Sequence, residues 1–141
     1  MDVQISNGFY HFRVLLMVII FNQIKPGSFT DNNCAGRLIG VENRYIIPDS
    51  SFTASSYYQR SSSDYRYHPS NGRLGVNNGW GPSSSKLNDP NQYLQIDLGL
   101  PYVICAVATQ GNSYYSEWVT QYKISLSMDN TNWSLTKKMG Q

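Results

Sequence analysis

The chain has 141 residues, of which 13% are aromatic and 14% charged, and its formal net charge is +2. This length accommodates one domain with a real core, and the Ser-, Asn- and Gly-rich polar part is typical of a β-rich fold with long loops, not of a helical bundle or a disordered tail. The near-neutral charge, with Lys137-Lys138 as the longest basic run, argues against a nucleic-acid partner.

An unbroken apolar run, Val14–Phe21, follows Arg13 near the start of the chain. As a helix it would span about 12 Å, at ~1.5 Å per residue, which is too short to cross a bilayer but suits the apolar region of a secretory signal peptide. We therefore expect residues 1–33 to form a signal peptide and linker, and the chain to be secreted. A buried strand and a wrongly assigned start of the chain are the alternative interpretations of the run.

Residues 34–99 combine long polar loops with one clearly alternating strand. Two polar stretches, Tyr57–Asn71 and Gly79–Asn91, show little alternation, and we name them the first loop and the second loop. Tyr93–Gly99 then alternates, so that Leu94, Ile96 and Leu98 share one face of a predicted β-strand. Because long loops on a compact β-scaffold usually carry the function, ligand contacts are expected in the loops.

Residues 103–133 predict two more strands and a hairpin. Val103–Ala108 is apolar at every position, which predicts a strand buried on both faces. A third polar stretch, Gly111–Glu117, follows, and we name it the third loop. Asp129-Asn130 is placed to turn a hairpin before Trp133. The last predicted strand precedes that turn and has an apolar face made of Tyr122, Ile124 and Leu126.

Two charged residues and three tryptophans are predicted to serve packing. Arg73 and Asp97 each stand next to apolar sequence, so a partly buried arginine–carboxylate pair is expected there, although the sequence does not assign the partners. The tryptophans, which are Trp80, Trp118 and Trp133, are expected in the core or at its ends.

Side chains suited to catalysis are few, and the chain is predicted not to be an enzyme. Only His11 and His68 could act as neutral-pH bases, and no serine stands in a Gly-x-Ser-x-Gly turn. No cofactor is predicted. No metal site is predicted either, because Asn88-Asp89 and Asp129-Asn130 lack the spacing of a calcium loop.

Five short motifs occur in a fixed order along the chain. They are Asp49-Ser-x-Phe-Thr-Ala-Ser-Ser, Arg73-Leu, Gln95-x-Asp-Leu-Gly, Ala108-Thr-Gln-Gly and Ser127-x-Asp-x-x-x-Trp. Together, over roughly Cys34 to Trp133, this series resembles a discoidin domain, also called the coagulation factor 5/8 type C domain. The resemblance implies an antiparallel jelly-roll sandwich or barrel that holds a ligand in spike-like loops and catalyses nothing. Ligands of the family are anionic phospholipid, galactose-type sugars, collagen and other extracellular proteins.

The resemblance also implies that residues 34–141 form a partial domain. In the family, further strands and a closing cysteine follow the last tryptophan-containing hairpin, whereas this sequence ends at Gln141. The closing strands are therefore expected to be missing, and Cys34 to lack its expected partner. Cys105 lies in the apolar run, where a small buried thiol is expected. A Cys34–Cys105 bridge remains open as an alternative.

The tips of the predicted loops favour a polar ligand. The tips of the first and second loops, at 59–64 and 82–86, lack the large apolar side chains that membrane insertion needs, and only Tyr114-Tyr115 could wedge into lipid. We therefore expect an extracellular binding or adhesion module for a cell-surface or matrix glycan or protein, with anionic phospholipid as the alternative. Asn132, in the triplet Asn-Trp-Ser, is an expected acceptor for glycosylation. The expected ligand contacts are Arg60, Tyr65, Arg66, Lys86, Tyr114 and Tyr115.

Overall fold

The fold is built from β-strands. A computed structural model describes residues 1–7, 16–23, 38–135 and 139–140, and these form eight strands, three short 3-10 helices and no α-helix. The 3-10 helices are Asp49–Ser51, Pro69–Gly72 and Ser84–Lys86. The strands are β1 (Asp2–Asn7), β2 (Leu16–Gln23), β3 (Phe52–Ala54), β4 (Tyr93–Asp97), β5 (Tyr102–Gln110), β6 (Gln121–Ser127), β7 (Ser134–Leu135) and β8 (Met139–Gly140).

The strands form two sheets. The larger sheet has the order β3-β4-β1-β6-β7, with β8 also paired to β6, and the smaller sheet consists of β2 and β5. All of these pairings are antiparallel, which confirms the predicted fold class. Within the described ranges the larger sheet does not close into a barrel, because β3 and β7 remain its edges.

The N-terminal strand β1 lies in the middle of the larger sheet. It pairs with β4 from Asp2 opposite Asp97 onward, and on its other side Asp2 lies opposite Ser127 of β6. Val3 and Ile5 alternate with polar neighbours and are 0% exposed, so this short strand has a core face. Even the first residue is held, since the carbonyl of Met1 accepts a 2.9 Å hydrogen bond from the Leu98 amide.

Two stretches of the predicted signal and linker region therefore lie in strands. Leu16–Gln23, which overlaps the apolar run, pairs with β5. Removal of residues 1–33 would take away both β1 and β2. The secretory signal itself stays a prediction, and Cys34 lies outside the described residues.

The core forms against the apolar faces of β1, β4 and β6, which are neighbours in the larger sheet. β4 buries Leu94 and Ile96, and β6 buries Tyr122 and Ile124, which confirms the two alternating strands read from the sequence. The turn after β6 also lies where the sequence predicted it, because β7 pairs back onto β6. The buried apolar residues outside the strands are Ile39, Val41, Ile47, Trp80 and Leu98.

The prediction that Val103–Ala108 is buried on both faces is wrong. Val103 is 44% exposed and Ala106 is also exposed, whereas Ile104 and Val107 pack against the core. The strand β5 belongs to a two-stranded sheet and contacts the core with one face only. The pairing skips Cys105, because Phe21 lies opposite Ile104 and Ile20 opposite Ala106. This β-bulge shifts the phase of the alternation, so the residues of β5 that face the core do not follow a period of two.

Arg73 is fully buried and ion-paired, as expected for a charge beside apolar sequence, but its partner is Asp49. Its Nε and Nη2 donate to Asp49 Oδ1 at 3.2 and 2.8 Å, and its Nη1 donates to the Val41 carbonyl at 2.7 Å. The guanidinium also lies over the Phe52 ring, 4.3 Å from its centroid. Burial lowers the pKa of Arg73, and the hydrogen bond to Asp49 opposes that shift.

Candidate functional site

All three polar loops lie at one end of the larger sheet. The first loop follows β3, whose last residue Ala54 lies opposite Leu94 near the start of β4, and the second loop ends just before that start. Ser6 of β1 lies opposite both Tyr93 and Lys123, so the starts of β4 and β6 share this end. The third loop enters β6 there, after the end of β5.

Asp64 organises the tip of the first loop. Arg66 donates to its carboxylate from Nε at 2.9 Å and from Nη2 at 2.8 Å, a two-pronged arrangement that fixes the guanidinium plane. The backbone amides of Arg60 and Arg66 also donate to this carboxylate, both at 3.3 Å. The Asp64 side chain is only 7% exposed. The bonds from Arg66 hold the pKa of Asp64 well below its usual range, and Asp64 raises the pKa of Arg66 in return.

Two hydrogen bonds join the first loop to the third. Arg66 Nη1 donates to the Tyr115 hydroxyl at 2.9 Å, and the Tyr67 hydroxyl donates to Glu117 Oε2 at 3.1 Å. Between these bonds the rings of Tyr67 and Tyr115 stack, with centroids 6.0 Å apart and planes 21° from parallel. Burial raises the pKa of Tyr67, and the Glu117 charge raises it further, so this phenol stays a donor.

The third loop is closed on itself, which fixes Glu117. Asn112 and Glu117 exchange two backbone hydrogen bonds, of 2.6 and 3.3 Å, and Asn112 Nδ2 donates to Glu117 Oε2 at 3.2 Å. Ser116 completes the turn with a φ of 50°. A Cβ at Gly111 would lie 3.0 Å from the Glu117 carbonyl oxygen, so the close approach of the two ends of the loop favours glycine.

The second loop is anchored to the start of the first. The Tyr58 amide donates to the Gly81 carbonyl at 2.7 Å, and the buried Trp80 donates from Nε1 to the Ser56 carbonyl at 2.8 Å. Trp80 therefore serves the core, as predicted. Lys86 points its charge at Asp89 of the same loop, with Nζ and Oδ2 3.6 Å apart.

Where the three loops meet, they enclose a cleft of about 280 Å³. Its walls combine tyrosine rings, two arginines and one carboxylate, which is the mixture of aromatic surface and placed polar groups expected of a ligand site. The lining residues are Tyr58, Arg60, Arg66, Tyr67, Ser84, Leu87, Tyr115 and Glu117.

Three of the six contacts predicted from sequence line this cleft, namely Arg60, Arg66 and Tyr115. The other three do not line it. Tyr65 is exposed beside His68, Lys86 is paired within its own loop, and Tyr114 is 69% exposed next to the Tyr115 ring.

The sequence suggested Tyr58 and Tyr67 only as loop aromatics suited to a contact surface and left them out of the expected ligand contacts, and it did not identify Glu117. Glu117 is the only charged residue of the third loop, and that isolation was the available signal. The two tyrosines belong to the aromatic set of the first loop, but which rings face the cleft depends on contacts between distant loops.

A larger cavity, of about 410 Å³, lies at the opposite end of the larger sheet, beside Met1 and the turn between β6 and β7. Asp129 is its charged residue, but that carboxylate already accepts hydrogen bonds from the amides of Thr131 and Asn132. With its polar group engaged in holding a turn, this cavity is the weaker candidate for a ligand site.

The remaining expectations concern modification, metals and membranes. Asn132 is exposed, and its Nδ2 donates to Asp129 Oδ2 at 2.7 Å. Among the described side chains no group of three or more His, Cys, Asp or Glu is placed to hold a metal ion. No helix in the described part of the chain has the length and apolar character to span a bilayer.

Comparison with known proteins gives one family and several relatives. The family described as "F5/8 type C domain" matches residues 51–141. The chain is 34% identical over 109 residues to coagulation factor VIII of Mus musculus, covering 74% of this chain and 4% of that protein. It is 34% identical over 116 residues to coagulation factor VIII of Canis lupus familiaris, covering 79% and 5%. It is 32% identical over 108 residues to lactadherin of Rattus norvegicus, covering 72% and 24%.

The chain thus spans a quarter or less of the length of each of these relatives. No solved structure matches it.

Proposed function

Because the chain belongs to the F5/8 type C, or discoidin, family, we propose that it is a non-catalytic extracellular module that binds a cell-surface or matrix glycan or protein in the cleft between its three loops. The observation that carries this proposal is the pair of hydrogen bonds from the first loop to Tyr115 and Glu117 of the third. They hold the aromatic wall and the polar groups in place before a ligand arrives, which reduces the entropy lost on binding.

The composition of the cleft supports a hydroxyl-rich ligand. A sugar ring presents an apolar face, which suits the exposed ring of Tyr115, and an edge of hydroxyl groups, which suits Arg66 and Glu117. The first loop carries Ser61, Ser62 and Ser63 next to its organising Asp64, so its tip offers small polar groups and no apolar wedge. Insertion into lipid needs such a wedge.

Anionic phospholipid is the second candidate, and one observation favours it. Tyr114 of the third loop is largely exposed, and Arg60 of the first loop is exposed and lines the cleft. An exposed aromatic ring and an exposed cation on loops at the same end of the sheet are suited to the membrane interface. Under this alternative the same loops meet the membrane, and Tyr114 is the inserted residue.

The chemistry of the described histidine agrees with a binding role. His68 Nδ1 bonds to Ser70 Oγ at 2.9 Å and caps the 3-10 helix that begins at Pro69, and His68 is not among the residues that line the cleft. The bonded hydroxyl belongs to Ser70, which is buried within the cap, so it is not placed as an accessible nucleophile.

The ligand proposal is tested on the full chain with two kinds of probe. A glycan array and immobilised matrix proteins report the first candidate, and phosphatidylcholine vesicles with and without phosphatidylserine report the second. Arg66→Ala and Tyr115→Ala should each weaken glycan or protein binding at least tenfold, because each removes one end of the bond that holds the cleft wall. Tyr45→Ala is the matched control, since Tyr45 is 99% exposed and lies outside the cleft.

If the chain binds phosphatidylserine-containing vesicles and none of the other probes, and Tyr114→Ala abolishes that binding, the phospholipid proposal replaces the glycan proposal. Glycan or protein binding that survives both Arg66→Ala and Tyr115→Ala would refute the cleft as the site.

The extracellular location is tested by expressing the chain in cultured animal cells with a C-terminal tag. We expect the tagged product in the medium, since the apolar run has the length of a signal region. A product found only in the cytosol would contradict secretion. Glycosidase treatment of the secreted product would then show whether Asn132 carries a glycan, which requires its amide to leave Asp129.

A further inference from the structure

The charges that line the cleft are unequally compensated. Arg66 is neutralised by Asp64 through two short hydrogen bonds. Glu117, by contrast, has no cation within ion-pair distance in the part of the chain that the structure describes. Arg60 likewise forms no ion pair with a described residue, so it carries the opposite uncompensated charge at the exposed tip of the first loop.

Glu117 is fixed but retains acceptor capacity. Its carboxylate receives the Tyr67 hydroxyl, at 3.1 Å from Oε2 and 3.3 Å from Oε1, and Asn112 Nδ2 at 3.2 Å from Oε2. An ionised carboxylate has about four lone-pair sites, and Oε2 uses its two for Tyr67 and Asn112, so Oε1 is the oxygen that can accept a further hydrogen bond. Tyr67 and Asn112 both act as donors and neither is a cation, so within the described residues no positive side chain forms an ion pair with this carboxylate at the cleft.

We infer that Glu117 sets the specificity of the cleft for an uncharged, hydroxyl-bearing sugar ring and disfavours anionic groups. This inference rests on the proposed function and adds to it the charge class of the ligand and the residue that selects it. A sugar hydroxyl that donates to Glu117 forms a charge-assisted hydrogen bond, whereas a phosphate, sulfate or carboxylate can offer no donor and meets a like charge.

The compensation of Arg66 supports the same ligand class. With its charge balanced by Asp64, Arg66 presents oriented N–H groups without acting as a free cation, so it can donate to a sugar oxygen without drawing in anions from solution. An anion at Glu117 would be repelled by its carboxylate, and only Arg60 at the exposed tip of the first loop would oppose that repulsion. A neutral ring meets neither effect and keeps the hydrogen bonds.

The experiment uses the full chain and the variant Glu117→Gln, which keeps the shape and an acceptor oxygen but removes the charge. The probes are neutral oligosaccharides, sulfated oligosaccharides, and phosphatidylcholine vesicles with and without phosphatidylserine. For Glu117→Gln we expect neutral-sugar binding to weaken roughly fivefold to tenfold, because a neutral hydrogen bond replaces a charge-assisted one. Binding to sulfated sugar and to phosphatidylserine should increase in the same variant.

Glu42→Gln is the matched control, since it removes one negative charge from an exposed position outside the cleft. It should leave the order of the probes unchanged. A second measurement needs no variant: wild-type binding to the neutral sugar should stay constant when sodium chloride is raised, because an uncharged ligand has no Coulomb attraction for salt to screen.

The outcomes separate the two proposals. Wild-type protein that binds no sugar and no matrix protein overturns the proposed function together with this inference. Wild-type protein that binds neutral sugar, and does so equally well as Glu117→Gln, overturns the inference about Glu117 alone. Sugar binding by the wild type that falls steeply with salt, or that prefers sulfated over neutral probes, overturns it as well.

Discussion

At the scale of single residues, Arg73 shows how the core holds a charge. The guanidinium has no exposed surface, and its donors are divided between the Asp49 carboxylate and the Val41 carbonyl. A buried cation of this kind is tolerated only because its donors are satisfied. The pair also links the 3-10 helix before β3 to the residues just after the first loop, so it helps to fix where that loop ends.

Removal of the partner of Arg73 should destabilise the protein. We expect Asp49→Ala to lower the free energy of unfolding by about 1–3 kcal/mol, since buried donors are left without an acceptor. Arg44→Ala is the control. It removes the exposed 3.7 Å ion pair of the same Asp49 and should cost less than about 1 kcal/mol. Urea denaturation of the full chain measures both, and equal losses would contradict the role assigned to burial.

The sequence predicted that Arg73 would be paired but could not assign Asp49 as its partner. Local alternation tells which face of a strand is apolar, and it carries no information on which distant loop lies beside it. The same limit applies to Glu117, whose partner Tyr67 is 50 positions earlier in the chain. The polarity of the loops located the site, while its internal contacts required the fold.

At the scale of elements, the turn between β6 and β7 is held by one carboxylate. Asp129 Oδ1 accepts from the amides of Asn132 at 2.8 Å and Thr131 at 2.9 Å, and from the Ser127 hydroxyl at 3.1 Å. Asn130 takes the left-handed conformation, with φ of 57°, that asparagine tolerates in turns. The hydrogen bonds from Asn132 hold the pKa of Asp129 far below its ordinary value of 3.8.

This lowered pKa makes the hairpin sensitive to acid. A carboxyl group with a lower pKa in the folded state contributes stability above its unfolded pKa and loses it as the pH falls toward the folded value. We therefore expect Asp129→Asn to be less stable than the wild type at neutral pH, and the difference to shrink below about pH 4. Urea denaturation at a series of pH values measures this, and a difference that is constant down to about pH 2 would contradict it.

The elements also show what periodicity can reveal. β4 and β6 were predictable because each presents one regular apolar face to the core. β5 was predicted as a strand with the wrong burial, because the bulge at Cys105 breaks the period of two. β1 was missed because its alternation covers few residues and stands just before a longer apolar run, whose length suits a signal peptide.

At the scale of the whole molecule, the larger sheet depends on its first strand. β1 separates β4 from β6 and hydrogen-bonds to both, so without it these strands would face a gap. If residues 1–33 are removed as predicted, the larger sheet loses a central strand, so the cleaved product cannot retain this sheet as described. The N-terminal sequence and the intact mass of a secreted product would show which residues remain.

The contribution of β1 is tested by truncating its buried side chains. Ile5→Ala should lower the free energy of unfolding by about 2–5 kcal/mol, as expected for a large side chain removed from a packed core. Gln4→Ala, which changes the opposite face of the same strand, should cost less than about 1 kcal/mol. If urea denaturation gave the same midpoint for Ile5→Ala and the wild type, β1 would not belong to the core.

The central position of β1 also has a consequence for the order of events at the ribosome. Asp2 is synthesised about 125 residues before Ser127, one of its partners in the sheet. At the usual rate of translation the two residues are synthesised on the order of ten seconds apart. During that time β1 cannot pair with β6. The nascent chain must keep Val3 and Ile5 from pairing wrongly over that interval. A chaperone that binds β1 during this interval would therefore reduce the risk of aggregation.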